Sequence, residues 1–501
     1  MKCTFQPTFA GQLRHALAPY AMLACGLASL LSPVGELSAD DSTRRPNIVL
    51  IVSDDQGYHD LGCFGNDAIR TPNLDRLAAG GVRLTDFYVT WPACTPSRGS
   101  ILTGRYPQRN GLYDMIRNDR ADDGYLYPPQ EYAISPERVL GMDDREITIA
   151  QALKKADYTC AAYGKWDGGQ LQRFLPLQRG FDDYYGFTNT GIDYFTHERY
   201  GVASMHDGNR ITEADKGAYA TDLFRDRALR FIERNKDKPF FLYVPFNAPH
   251  GGSNLDPTIR GLAQAPDAYK KLYPHLKEGL RAGTRYGKPA LVPTRDAYKL
   301  NYLACVTAMD DAIGQILGAL EKHGLTDRTL VIFFSDNGGS GDADNAPLRG
   351  RKGSMWEGGV RVPAIVRWPG RVPAGKVSHA LLTSLEVLPT AVAAAGLTPR
   401  IALPGVVLDG FDMLPVLRGE YPSPRTAMFW QRRDHRAARI GQWKWVDTPG
   451  ASGLFDLSAD IGEQHDLSGA KPGVLAMIKD QWNAWRQAMD GAEPRGPFRD
   501  Y

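Results

Sequence analysis

Four short apolar runs govern what this chain can fold into: residues 47–52 (NIVLIV), 158–163, 240–246 (FFLYVPF) and 330–335 (LVIFFS). Each is rich in Val, Ile, Phe or Tyr and too short for a buried helix, so each predicts a strand covered on both faces. Helical patterns lie between them. Residues 221–236 set Phe224, Ala228 and Phe231 on one stripe. Residues 296–323 repeat Leu303, Val306, Met309, Ile313, Ile316 and Leu320 at spacings of three and four before stopping at Gly324. Strands joined through helices of this length need crossover connections, which predicts an α/β fold on a mostly parallel sheet flanked by helices. The pattern changes beyond Pro422 and Pro424, with strand-like pieces at 426–431, 437–440 and 443–446 and an amphipathic stretch at 473–489. These read as a small C-terminal α+β domain over 422–501 with a short antiparallel sheet, following a catalytic-sized domain over 40–421.

The first 39 residues differ in kind. Lys2, Arg14 and His15 precede an apolar stretch at 16–31, and Leu37-Ser38-Ala39 precedes Asp40. This order of basic, apolar and small residues reads as a secretory signal peptide. Pro19 interrupts the run, which falls short of the ~20 apolar residues that span a bilayer. The expectation is a secreted or periplasmic protein with no membrane attachment once the signal is removed. Lys and Arg total 59 against 57 Asp and Glu, so a general nucleic-acid binder, which needs a basic excess, is excluded. Removing the signal leaves Cys63, Cys94, Cys160 and Cys305, too few for a disulfide scaffold, with at most one bridge expected.

The chemistry collects where the predicted strands end. The first run leads into Asp54-Asp55, the last into Asp336-Asn337, the third toward His250 and the second toward Lys165. Carboxyl ends of parallel strands form the ligand crevice of open sheets, so these side chains should share one edge. Asp54, Asp55, Asp336 and Asn337 supply only oxygen. Carboxylates crowd together cheaply only around a counter-charge, which implies a cation. Hard oxygen donors favour Ca²⁺, with Mg²⁺ second, over zinc. Cys94 stands at a predicted helix start, with Pro96 inside the first turn, Arg98 one turn along and Gly104 at the end. The helix dipole and the guanidinium predict a lowered thiol pKa, although a cysteine so placed could equally be a buried structural thiol. A thiolate nevertheless matches a hard cation poorly.

Cys94-Thr-Pro96-Ser-Arg98 followed by Leu102-Thr-Gly104-Arg105 resembles the sulfatase signature. The resemblance runs from Asn47 to Leu467 through Gly164-Lys165-Trp166, Ala248-Pro249-His250, Asp336-Asn337-Gly338-Gly339 and the stretch from Arg349 to Pro363. It implies an alkaline-phosphatase-like large domain and a sulfuric ester hydrolase of the arylsulfatase type. It also implies conversion of Cys94 by a transient formylglycine-generating enzyme to formylglycine (3-oxoalanine), whose hydrate attacks sulfur. On that resemblance, Asp54, Asp55, Asp336, Asn337 and modified Cys94 hold the metal and Arg98 steadies the hydrate. Lys165 and Lys352 grip sulfate oxygens, and His250 is the acid for the leaving oxygen. One position departs: similar enzymes usually continue the lysine motif with a histidine, and here Asp167 stands there, a carboxylate able to serve as the base that releases sulfate.

The region around Gly191–Glu198 is most similar to the N-acetylgalactosamine-4-sulfatase branch, which implies a sulfated polysaccharide or glycosaminoglycan substrate and suggests His197 as a substrate contact. Cations and tyrosines between Arg260 and Lys288 could bind a polyanionic chain or form a solvated surface helix. Two alternatives remain at this level: a phosphatase or phosphodiesterase of the same superfold, and a non-catalytic binder of sulfated glycans.

Overall fold

A computed structural model of the protein describes residues 45–112, 115, 141–285 and 287–492; the signal-like residues 1–39 lie outside them. All four apolar runs are strands: β1 (Asn47–Ser53), β3 (Thr159–Lys165), β7 (Phe240–Pro245) and β8 (Thr329–Ser335). With β2 (Val82–Leu84), β4 (Asp183–Phe187), β5 (Met205–Asp207), β6 (Arg210–Ile211), β9 (Ala364–Arg367) and β10 (Lys376–Ser378) they form one ten-stranded sheet. Its order is β10-β2-β9-β8-β1-β7-β3-β4-β5-β6. The central block β8-β1-β7-β3-β4 is parallel. Antiparallel pairs at β8–β9, β9–β2, β4–β5 and β5–β6 make the sheet mixed toward both edges.

Alternation along β1 explains why its run is apolar throughout. Val49 and Ile51 face a core that includes Phe224, Ala228 and Phe231 of α2 (Ala220–Asn235) and the predicted stripe of α3 (Arg295–Lys322). Ile48, Leu50 and Val52 face the opposite core, with Ile101 and Leu102 of α1 (Cys94–Thr103). Each fully buried aliphatic side chain contributes roughly 1.5–3 kcal/mol, and neither face of β1 can turn polar without losing it. Thr294 caps α3 by accepting from the Ala297 N–H at 3.2 Å, and Gly324, at φ +64°, follows its end. Among the described residues α3 is the one helix long and apolar enough to cross a bilayer, and it is mostly packed inside the core.

Beyond α4 (Glu357–Val360), the C-terminal part is an antiparallel meander of β11 (Ala427–Arg432), β12 (His435–Ile440), β13 (Trp443–Thr448) and β14 (Ala451–Asp456). The last of these strands was not anticipated. Helix α5 (Pro472–Asp490) buries Ile478, Trp482, Trp485 and Met489, one stripe at helical spacing. Their cluster also takes in Tyr88, Tyr106, Met355 and Leu385, so the small sheet completes its core with side chains from earlier segments of the chain.

Candidate active site

Register brings the strand ends together. The β1–β8 pairing sets Ser53 opposite Ser335, so the next residues, Asp54 and Asp336, emerge side by side. Ligand atoms of Asp54, Asp55, Asp336 and Cys94 all lie within 4.8 Å of one another, and all four residues are buried. Cys94 is the first residue of α1. Lys165 ends β3 at the same edge, after Gly164, where a Cβ would stand 2.0 Å from the Pro245 carbonyl oxygen. Only glycine lets β3 approach β7 this closely.

Cations hold the carboxylates. Lys165 Nζ donates to Asp54 Oδ2 at 2.7 Å, and Arg98 Nε donates to Asp336 Oδ2 at 2.9 Å. Lys352 Nζ lies 2.6 Å from Asp55 Oδ1 and 3.2 Å from Cys94 Sγ, itself 3.5 Å from Asp54 Oδ1. Burial alone would raise the Asp55 pKa, but Lys352, His250 and the Asn337 hydrogen bond outweigh it and hold the carboxyl well below the usual range. Asn337 Nδ2 donates to Asp55 Oδ1 at 2.8 Å, while Asn337 Oδ1 is buried with no hydrogen-bond partner. An amide oxygen left so costs about 1–3 kcal/mol. Beside three carboxylates it is suited to a hard cation, so these residues fit the metal ion that the family resemblance implies.

Several expectations need correction. The Cys94 thiol is pushed up, not down: it is fully buried and faces Asp54, which together outweigh Lys165 and Lys352. Arg98 does not offset this, because its guanidinium is turned onto Asp336, with Asp54 at 3.8 Å. His250 points Nε2 toward Asp55 Oδ2 at 3.8 Å and places Nδ1 2.8 Å from the Gly251 carbonyl, which assigns the proton to Nδ1. Burial pushes its pKa down to about 3 despite Asp55, so the imidazole is neutral at pH 7 rather than a ready acid. His197 is buried, with Nε2 2.9 Å from the Ala218 carbonyl and its backbone paired to Asp193 and Ser204. The 260–288 stretch is no surface helix. Its elements are the short helix Asp267–Lys270 and a strand Leu280–Arg285 that opens a hairpin, with Arg260 and Tyr273 buried. All four cysteines are free, within the expectation of at most one bridge.

Asp167 points into the site. Its Oδ1 accepts from Thr95 Oγ1 at 2.7 Å and its Oδ2 lies 3.7 Å from Lys165 Nζ, while the Trp166 indole donates elsewhere, to Phe174. Burial pushes the Asp167 carboxyl up to about 6, against Lys165 and the Thr95 hydrogen bond. Sequence reading missed Thr95, although it adjoins Cys94. It also missed Ser340, whose hydroxyl donates to Asp55 at 2.8 Å, and Arg199. A Cβ on Gly191 would meet His250 at 3.0 Å and the Arg199 guanidinium at 3.1 Å, so this buried cation stands close to the imidazole. An arginine in a two-residue strand, Glu198–Arg199, carries no sequence signal for that placement.

Comparison with known proteins agrees with this geometry. The sequence model of the family described as Sulfatase matches residues 46–397. N-acetylgalactosamine-6-sulfatase of Canis lupus familiaris is 32% identical, over 90% of this chain and 87% of that protein. Arylsulfatase A of Homo sapiens is 33% identical, over 91% and 90%. The crystal structure of Ps i-CgsB in complex with k-i-k-neocarrahexaose superposes with a TM-score of 0.73 at 30% identity, covering 88% of this chain and 93% of that one. None of these names singles out the 4-sulfatase branch.

Proposed function

Because the chain belongs to the sulfatase family and is an enzyme that hydrolyses sulfate esters, we propose that it desulfates a sulfated carbohydrate with a formylglycine made from Cys94. The observation that carries this reading is the meeting of Cys94 with Asp54, Asp55 and Asp336 within 4.8 Å under two lysines. As a hydrated aldehyde, residue 94 would supply a hard hydroxyl oxygen as nucleophile, which a thiol cannot. Asp54, Asp55, Asp336, Asn337 and modified Cys94 would hold a calcium ion, with magnesium second. When bound, the ion would act as a Lewis acid toward the oxygens it touches.

The chain's own groups then divide the work. Lys165 and Lys352 have raised pKa values because their carboxylate neighbours outweigh burial, so both bring full positive charge to the place where sulfate oxygens would sit. Arg98 fixes Asp336 in orientation. His250 would carry a proton to the departing sugar oxygen, taking it up as the anionic substrate adds negative charge beside it. Asp167, with its pKa near 6, would be the base for the release step, in the histidine's place.

Relatives support the substrate class: one is named for N-acetylgalactosamine-6-sulfate and another was solved with a neocarrahexaose. We assign residues 1–39 to an export signal, 40–421 to the catalytic domain and 422–501 to a C-terminal subdomain, and expect a secreted or periplasmic enzyme matured by a formylglycine-generating partner. Mass spectrometry of the peptide containing residue 94, paired with turnover of sulfated oligosaccharides and of matched phosphate esters, tests the proposal. An aldehyde at residue 94, preference for sulfate, and loss of at least about 10³-fold in Cys94→Ala are expected. An unmodified thiol in a fully active enzyme, or preference for phosphate, would end it.

A further inference from the structure

Lys352 sits in the loop between Arg349 and Glu357, and most of that loop, Met355 apart, is only half-buried or exposed. Packing therefore does little to fix it, and its shape depends on its fastenings. Both ends meet on one residue more than a hundred positions later. Arg349 Nη1 donates to the Glu463 carbonyl at 2.8 Å, and the Glu357 N–H donates to Glu463 Oε2 at 2.8 Å. Between the two ends, the Gly358 N–H reaches the Arg349 carbonyl at 2.7 Å and the Arg349 guanidinium lies 3.7 Å over the Trp356 ring. From the C-terminal sheet, Lys444 Nζ holds Glu357 Oε1 at 2.8 Å and Arg432 holds the Gly353 carbonyl at 3.1 Å. Glu463 has no exposed surface and stands at φ +52°, a left-handed conformation that a glutamate adopts only where its surroundings demand it.

Resting on the assignment of Lys352 as a sulfate-binding cation, we propose that Glu463 is a positioning residue that staples the 349–357 loop shut and so aims Lys352 at the site. Burial, opposed by Lys444 and reinforced by Glu357, pushes the Glu463 carboxyl up to about 8, so it is mostly neutral at pH 7. The staple thus needs an acceptor of the right reach more than a charge, and glutamine should replace it.

The test is steady-state kinetics of the mature, metal-loaded enzyme on 4-nitrophenyl sulfate, with Glu463→Ala, Glu463→Asp and Glu463→Gln each made alone and with Lys352→Ala. Glu463→Ala and the shorter Glu463→Asp should raise KM about tenfold with a smaller change in kcat, and Glu463→Gln should stay within about twofold of the parent. In the Lys352→Ala background, Glu463→Ala should add nothing further. If Glu463→Ala does not fold, Glu463→Asp decides by the same criterion. An unchanged KM, or an equal loss in both backgrounds, overturns the staple. A normal KM in Lys352→Ala alone overturns the sulfate-binding assignment itself, and the proposal with it.

Discussion

At the sheet edge, three carboxylates and a thiol crowd within 4.8 Å while an amide oxygen of Asn337 goes without a partner. Under the C-terminal sheet, Glu357 is just as buried, yet both of its oxygens are taken: Oε1 by Lys444 at 2.8 Å, and Oε2 by Arg361 at 3.3 Å and by the Tyr88 hydroxyl. Arg361 and Arg439 in turn share Asp86. Burial would raise the Glu357 pKa, but Lys444, Arg361 and Arg439 overwhelm it and bring it down to about 2. The contrast separates two uses of buried charge. A carboxylate with both oxygens held, as Glu357 is, joins two parts of a fold, whereas three carboxylates gathered round an unpartnered amide oxygen are arranged for a cation.

Removing charge from the two clusters should therefore fail in different ways. The largest effect is expected for Lys444→Met, which leaves Glu357 with less compensation in a closed network and should cost about 3–5 kcal/mol of stability in denaturant unfolding. An unfolding midpoint equal to the parent's would break the comparison. Asp167→Asn should do the reverse. Stability should hold or rise, because the fold already favours the neutral form of that carboxyl, while kcat falls about 10- to 100-fold. A clear loss of stability with unchanged kcat would move Asp167 into the structural class.

The smallest effect is a pH dependence. The folded pKa of Glu463, about 8, exceeds its ordinary value of 4.5, so its contribution to stability is fully present below about 4.5 and is lost as pH rises through about 8. Relative to Glu463→Gln, the parent should lose roughly 1 kcal/mol between pH 7 and 8. Parallel stability curves for the two proteins would show that Glu463 titrates normally.

Sequence revealed most where one local pattern decided the outcome. Apolar runs marked β1, β3, β7 and β8 because strands covered on both faces have no polar positions, and the residues after them fell on one edge because parallel strands end together. The helix beginning at Cys94 was legible from Pro96 and Gly104. Acidity was not: its sign was set by burial and by Asp54, forty positions away, neither of which shows in the helix's own sequence. The ordinary pKa of histidine misled for His250 for the same reason, since desolvation outweighs Asp55. His197 matched a motif, but its loop folds it onto Ala218. Glu463 gave no signal at all, because its partners Arg349 and Glu357 come from a distant part of the chain.

The distance between those partners has a consequence for biosynthesis. A chain emerging N-terminus first presents residues 54, 55, 94, 165, 250 and 336 well before residue 463 exists. The long-range contacts at Arg349 and Glu357 cannot form until almost the whole polypeptide has been made, and contacts of high sequence separation are slow to form even then. Lys352 itself is held by earlier residues, through its N–H to the Gly339 carbonyl at 3.1 Å and its Nζ to Asp55, so what waits for residue 463 is the closing of the 349–357 loop around it. On the proposal that Glu463 aims Lys352, a newly made chain passes through an interval in which residue 94 already stands at the start of its helix while the 349–357 loop has yet to be fastened.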